Sequence, residues 1–242
     1  MHHFGVLVPS TNTIVEIEYG RLLPPTLQVH IARIPLLSRG RDDTDVDYQA
    51  RLLGSAKVEV VALAQTGATL SADDYDEQIT KRMSEAAGVP AVTSARAIGL
   101  AVRALGARRI ALVSPFPIPV LERAKSHYTD NYGLEVVALE SFSGADSIIY
   151  PTLGPDEARD AIARTDRPEI EVFVVPLAIF QQCRSYLDGS AQLASPSSAP
   201  IRPRSGRCFR SCASLRSSPA WDGCWKRCPR CEAARHRAGA VM

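Results

Sequence analysis

The first 182 residues contain no cysteine, and no tryptophan occurs before Trp221. A disulfide framework, which would be threaded through a small secreted domain, is therefore excluded from most of the chain. No apolar run approaches the roughly 20 residues that a membrane-spanning helix requires, so no membrane role is expected. No secretory signal opens the sequence, and a cytoplasmic protein is the expectation.

Acidic residues are scarce in one region only. Residues 1–200 carry 18 Lys and Arg against 24 Asp and Glu, whereas residues 201–242 carry 10 against 2, so the formal charge of +2 sums two unlike segments. All six cysteines lie late: Cys183, Cys208, Cys212, Cys224, Cys228 and Cys231. Cys224, Cys228, Cys231 and His236 offer the ligand types of a zinc site, but their spacing is loose and no metal is expected. Arg-rich character with Phe209, Trp221 and Trp225 resembles a nucleic-acid arm, yet charge alone is a weak signal and no nucleic-acid partner is expected.

What is present, from residue 4 to 176, is an alternation of short β-branched runs with amphipathic stretches, the pattern of a parallel sheet with crossover helices. The expected strands are "FGVLV", "LQVHIAR", "VEVVALA", "PAVT", "RIALV", "LEVVAL" and "VFVVP". Helices are expected near residues 12–23, 43–55, 73–87, 95–106, 117–132 and 155–165. Asp73, Asp74, Ser94 and the Pro155-Asp156-Glu157 run supply start signals. The fold class is α/β, doubly wound.

The order repeats after about a hundred residues: "FGVLVPSTNT" is matched by "IALVSPFPI", and "VEVVALAQTG" by "IEVFVVPLAI". Such a period predicts two pseudo-twofold-related half-domains facing a central cleft. The expected organisation is a first half over 1–106, which the second half can help to close, a truncated second half over 107–176, and a tail over 177–242. The tail breaks the repeat. Written with permitted codons and read from the third base, "LASPSSAPIRP" becomes "GKPVVSANQA", the counterpart of "GVPAVTSARA" in the first half, and "WDGCWKRCP" becomes "GRLLEALP" by the same shift. A one-base slip near Pro176 accounts for both. On this reading the tail is out of frame and disordered, and a sheet edge beside "VFVVP" stays uncovered, which invites aggregation.

Ligands in open α/β folds sit beyond the carboxyl ends of the strands. The turns "VPSTNT", "AQTGATL" and "VSPF" offer hydroxyls, amides and backbone N–H groups there, which suits a small carboxylate. Asn12 has an equally good bland role as the cap of the first helix, and Thr66 and Gly67 one in an ordinary strand-to-helix turn. His30 reads as a structural residue of an alternating strand. Tyr48, Tyr75 and Tyr128 sit at helix positions without a role.

Together, "FGVLVPSTNTIVEIEY", "ALAQTGATL", "GVPAVTSARAIGLAVRALGARRIALVSPF" and "VFVVP" resemble the Asp/Glu racemase superfamily, and within it the maleate cis-trans isomerase and arylmalonate decarboxylase branch. The resemblance implies a cofactor-independent enzyme, an isomerase or racemase or a decarboxylase, acting on a small dicarboxylate with a cysteine thiolate on each side of the substrate. It also implies a carboxylate or dicarboxylate substrate as partner and is compatible with a homo-oligomer. It places Pro9, Ser10, Asn12, Thr66, Gly67 and Phe116 in the substrate site.

Three positions depart from the pattern. Gln65 stands where the first catalytic cysteine belongs and cannot ionise. Leu177 follows Pro176 where the second is expected, and Cys183 lies several residues beyond. Phe116 replaces a tyrosine. The second expectation is therefore a catalytically dead product or a binding module.

Overall fold

The computed structural model describes residues 1–36, 44–70, 74–142, 155–176 and 207–210. The chain runs β1 (His2–Pro9), α1 (Val15–Leu22), β2 (Leu27–Ile34), α2 (Thr44–Ser55), β3 (Val61–Leu63), α3 (Thr66–Thr69), α4 (Tyr75–Ala87), β4 (Ala91–Thr93) and α5 (Ser94–Ala104). It continues with β5 (Arg109–Ser114), α6 (Ile118–Tyr132), β6 (Glu135–Ser141), α7 (Pro155–Thr165), β7 (Val172–Val175) and β8 (Arg207–Arg210).

The strands form two parallel sheets with the orders β2-β1-β3-β4 and β6-β5-β7-β8. The hundred-residue repeat is thus a repeat of topology. β1 and β5 lie inside their sheets and are buried over most of their length, which is why both read as continuous apolar runs rather than alternating ones.

Each sheet is covered on two faces. In the first, Phe4, Val6 and Val8 pack toward Val15 and Tyr19 of α1. Leu7 and Leu63 pack on the other side with Val46, Ala50 and Leu53 of α2 and Ile79 and Met83 of α4. In the second, Ala111, Val113, Phe173 and Val175 face Ala161 of α7, and Ile110, Leu112, Val172 and Val174 face Leu121, Ala124 and Tyr128 of α6.

That last cluster also contains Ala95, Ile98 and Val102 of α5. The helix that follows the last strand of the first sheet is buried in the core of the second. It approaches α6 closely because residue 99 is glycine: a Cβ there would lie 2.6 Å from the Tyr132 ring. The division at residue 106 therefore separates the strands of the two halves but not their cores.

The expectation of an uncovered edge beside β7 is not met. Residues Arg207–Arg210 pair in parallel with Val172–Val175 and complete a fourth strand. The reason is physical: a parallel ladder is made by main-chain N–H and C=O groups, so an edge accepts an extended segment with little regard to its side chains. The other tail assignments lie outside the described residues.

Candidate functional site: the turns at the carboxyl ends of β1, β3 and β5

β1 and β3 are hydrogen-bonded neighbours, with Leu7 opposite Leu63 and the amide of Ala64 donating to the carbonyl of Leu7 at 2.9 Å. The turns after them therefore leave adjacent strands at the same end. After β1, the amide of Asn12 closes a turn onto the carbonyl of Pro9 at 2.9 Å. The side chain of Asn12 is buried at 7 % exposure, and its Oδ1 accepts from the amides of Ile14 (2.9 Å) and Val15 (3.0 Å). Asn12 thus holds the turn that enters α1, whose capping position is Ile14 rather than Asn12 itself. These contacts use the carbonyl end of the carboxamide, and Nδ2 is the end whose chemistry suits a carboxylate oxygen. Pro9 is buried, while Ser10 and Thr11 are exposed.

After β3, Gln65 is buried at 9 % exposure in the residue that immediately precedes α3. Thr66 is buried too, and its Oγ1 lies 2.7 Å from Oγ of Ser94 at the start of α5. The Thr69 hydroxyl donates to the carbonyl of Thr66 at 3.0 Å and tightens the short helix. After β5, Ser114 Oγ accepts from the amide of Phe116 at 3.3 Å.

Phe116 brings the two halves into contact. A Cβ placed on Gly67 would stand 3.3 Å from Cζ of Phe116 and 3.5 Å from Cε1, so the phenyl ring lies close over the Gly67 backbone and would have to shift slightly to admit a methyl group. The ring is buried, in the same cluster as Leu70. Of the expected site residues, the structure joins Gly67 to Phe116 across the halves, sets Thr66 beside them, and presents the Asn12 turn from the strand next to β3. Leu177 and Cys183 lie outside the described residues.

The sequence reading missed Ser94 as a site residue. It was legible only as a helix start, and the structure assigns that cap to Thr93, whose Oγ1 accepts from the amide of Arg96 at 3.1 Å. The Thr93 hydroxyl also donates to the buried carboxylate of Asp76. Arg33 was missed as well: it donates from β2 to three carbonyls of the Asn12 turn. His30 is a strand residue paired with His3, Nε2 to Nδ1 at 2.9 Å, as its structural reading required.

Among the described residues no group of three His, Cys, Asp or Glu is placed to hold a metal. No helix among them is long and apolar enough to cross a membrane.

Fold and site define a class: a pseudo-symmetric α/β protein whose two parallel sheets send polar turns, Asn12, Gln65-Thr66 and Ser114-Pro115-Phe116, from the carboxyl ends of their strands. Within that class, residues 40–148 match the arylmalonate decarboxylase family model. The chain is 26% identical over 200 residues to a maleate isomerase of Pseudomonas putida, covering 75% of this chain and 80% of the relative. It is 27% identical over 198 residues to that of Geobacillus stearothermophilus, covering 73% and 78%.

Solved structures share the fold. A Pseudomonas putida maleate isomerase with maleate has a TM-score of 0.71 at 23% identity over 87% of both chains. An arylmalonate decarboxylase has 0.67 at 20% over 99% of this chain and 94% of that one. A Nocardia farcinica maleate cis-trans isomerase with a covalently bound succinylcysteine intermediate has 0.67 at 18% over 93% and 90%. These findings support the branch of the Asp/Glu racemase superfamily that holds the maleate isomerases and arylmalonate decarboxylases.

Proposed function

We propose that the chain is a maleate isomerase-like protein that binds a small dicarboxylate among the turns after β1, β3 and β5 without a cofactor. The observation that carries this is the contact of Phe116 with Gly67, which unites turns from both sheets around buried hydroxyl and amide groups. The Asn12 carboxamide and one hydroxyl of the hydrogen-bonded Thr66–Ser94 pair supply donors for carboxylate oxygens. In the reaction of this type, a thiolate adds to one alkene carbon and leaves a single bond about which the carboxylates turn. Expulsion of the thiolate then re-forms the double bond in the trans geometry. The succinylcysteine in the Nocardia farcinica structure is an adduct of this kind.

Gln65 favours a second reading. A carboxamide has no ionisable proton near neutral pH and cannot replace a thiolate as nucleophile, and Phe116 has no hydroxyl to offer. On this reading the chain binds the dicarboxylate and does not turn it over, unless a thiol beyond Pro176 acts alone. Titration with maleate by calorimetry, followed by proton NMR for fumarate and by an arylmalonate decarboxylation assay, decides between them. Binding with turnover supports the enzyme, binding without turnover supports the binding module, and no binding rejects both.

A further inference from the structure

We infer that Arg33 and Glu16 form a charge-compensated brace that positions the Asn12 turn for an anionic ligand. Arg33, the penultimate residue of β2, stands opposite Val8 of β1 and reaches over the end of that strand. Its Nη1 donates its two hydrogens to the carbonyls of Asn12 (2.9 Å) and Ser10 (3.2 Å), with that of Pro9 (3.5 Å) a longer acceptor sharing one of them, and its Nη2 donates to Oε2 of Glu16 at 2.7 Å. One planar guanidinium thereby ties three carbonyls of the turn to the first turn of α1. A lysine, with a single donor atom, cannot span the same set.

The pair has an electrostatic consequence as well. Glu16 stands one turn from Asn12, where a lone carboxylate would repel an incoming anion, and the guanidinium cancels it at contact distance. Both side chains are about two-fifths exposed, so the pairing adds little to global stability. Its value lies in shape and local charge.

The brace belongs to one half only. In the second sheet the register places Ser141, opposite Ser114, where Arg33 stands in the first, and a serine cannot span the turn as a guanidinium does. A feature needed merely to fold this topology would recur in both halves. Among the described residues this one occurs beside Asn12 alone.

The inference rests on the dicarboxylate reading for its ligand but not for its geometry, and the test separates the two. Full-length chain and the variants Arg33→Met, Arg33→Lys and Arg33→Met/Glu16→Gln are titrated with maleate by calorimetry. Hydrogen exchange is followed for peptides spanning Ser10 to Val15, and melting temperatures are recorded. Expected are a roughly tenfold weaker maleate Kd for Arg33→Met, little recovery with lysine, partial recovery in the double variant, and near-native melting throughout. Unchanged affinity in Arg33→Met overturns the brace, and the absence of any recovery in the double variant overturns its electrostatic half. If the unaltered chain binds no maleate, the dicarboxylate reading fails, and exchange alone judges the brace: faster exchange at Ser10–Val15 in Arg33→Met supports it, unchanged exchange overturns it.

Discussion

Glu59 and Glu171 hold equivalent positions in the two halves and make the same reciprocal contact. The amide of Glu59 donates to the carbonyl of His3 (2.8 Å) while its carboxylate accepts from the amide of His3 (3.3 Å). The amide of Glu171 donates to the carbonyl of Arg109 (2.9 Å) while its carboxylate accepts from the amides of Arg109 (2.9 Å) and Arg108 (2.7 Å). Each carboxylate thus staples the amino end of the central strand of its sheet to the segment entering the next strand.

This staple predicts an acid-sensitive stability. The amides of Arg109 and Arg108, with the nearby guanidinium, hold the Glu171 carboxyl below its ordinary range. Because the folded-state value is lower than that of the unfolded chain, near 4.3, the stabilisation is full above that pH and is lost as pH falls through the lowered value. Glu171→Gln is expected to cost about 0.5–1 kcal/mol at pH 7, the pair being partly exposed and screened. The deficit should begin to shrink as the pH falls below that unfolded-chain value. A deficit that is the same at pH 7 and pH 3.5 in parallel urea titrations would refute the assignment.

Gly99→Ala is expected to destabilise the protein. Alanine gains up to about 1 kcal/mol in helix propensity, but its Cβ would sit 2.6–2.7 Å from ring atoms of Tyr132, and overpacking of that kind costs about 1–3 kcal/mol. Packing wins. Urea unfolding of Gly99→Ala, with Gly99→Ala/Tyr132→Leu as a relief variant, checks the direction.

Tyr128→Phe should leave the fold as stable as before or raise its melting temperature. Most buried tyrosines lose a hydrogen bond on this change. Here the Tyr128 hydroxyl has no partner among the described residues, and burial pushes the phenol well above its ordinary pKa. Removing an unsatisfied buried group relieves a cost of about 1–3 kcal/mol. Calorimetric melting decides, and a drop of several degrees would point to a partner for the hydroxyl.

The gene is expected to carry a one-base slip near the codon for Pro176. Sequencing across the codons for Glu169 to Pro203 should recover a cysteine-containing turn and the segment "GKPVVSANQA". With the frame restored, maleate isomerisation or arylmalonate decarboxylation should be measurable. A gene that reads as written would leave the binding-module reading in possession.

The strands were legible wherever burial on two faces forced an uninterrupted apolar run, as in "RIALV", which appears as Arg109–Ser114. "VEVVALA" contracts to Val61–Leu63 because Glu59 and Val60 spend their backbone groups on β1 outside the regular ladder. The short helix Thr66–Thr69 left no trace in periodicity, since four residues span barely one turn. Asn12, Thr66, Gly67 and Phe116 were legible through the turns that hold them. Arg33 was not: its role depends on β2 lying beside β1, a relation no local pattern states. Ser94 was hidden for the same reason, its hydroxyl meeting Thr66 from the start of the helix that follows the next strand.

The burial of α5 against β5 and β7 has a consequence for synthesis. When residues 1–106 have left the ribosome, the strands that cover Ala95, Ile98 and Val102 have yet to be made. The nascent first half must carry an exposed apolar helix until β7 emerges some seventy residues later. Folding of the two halves is coupled from the outset, and chaperone engagement should concentrate in that interval.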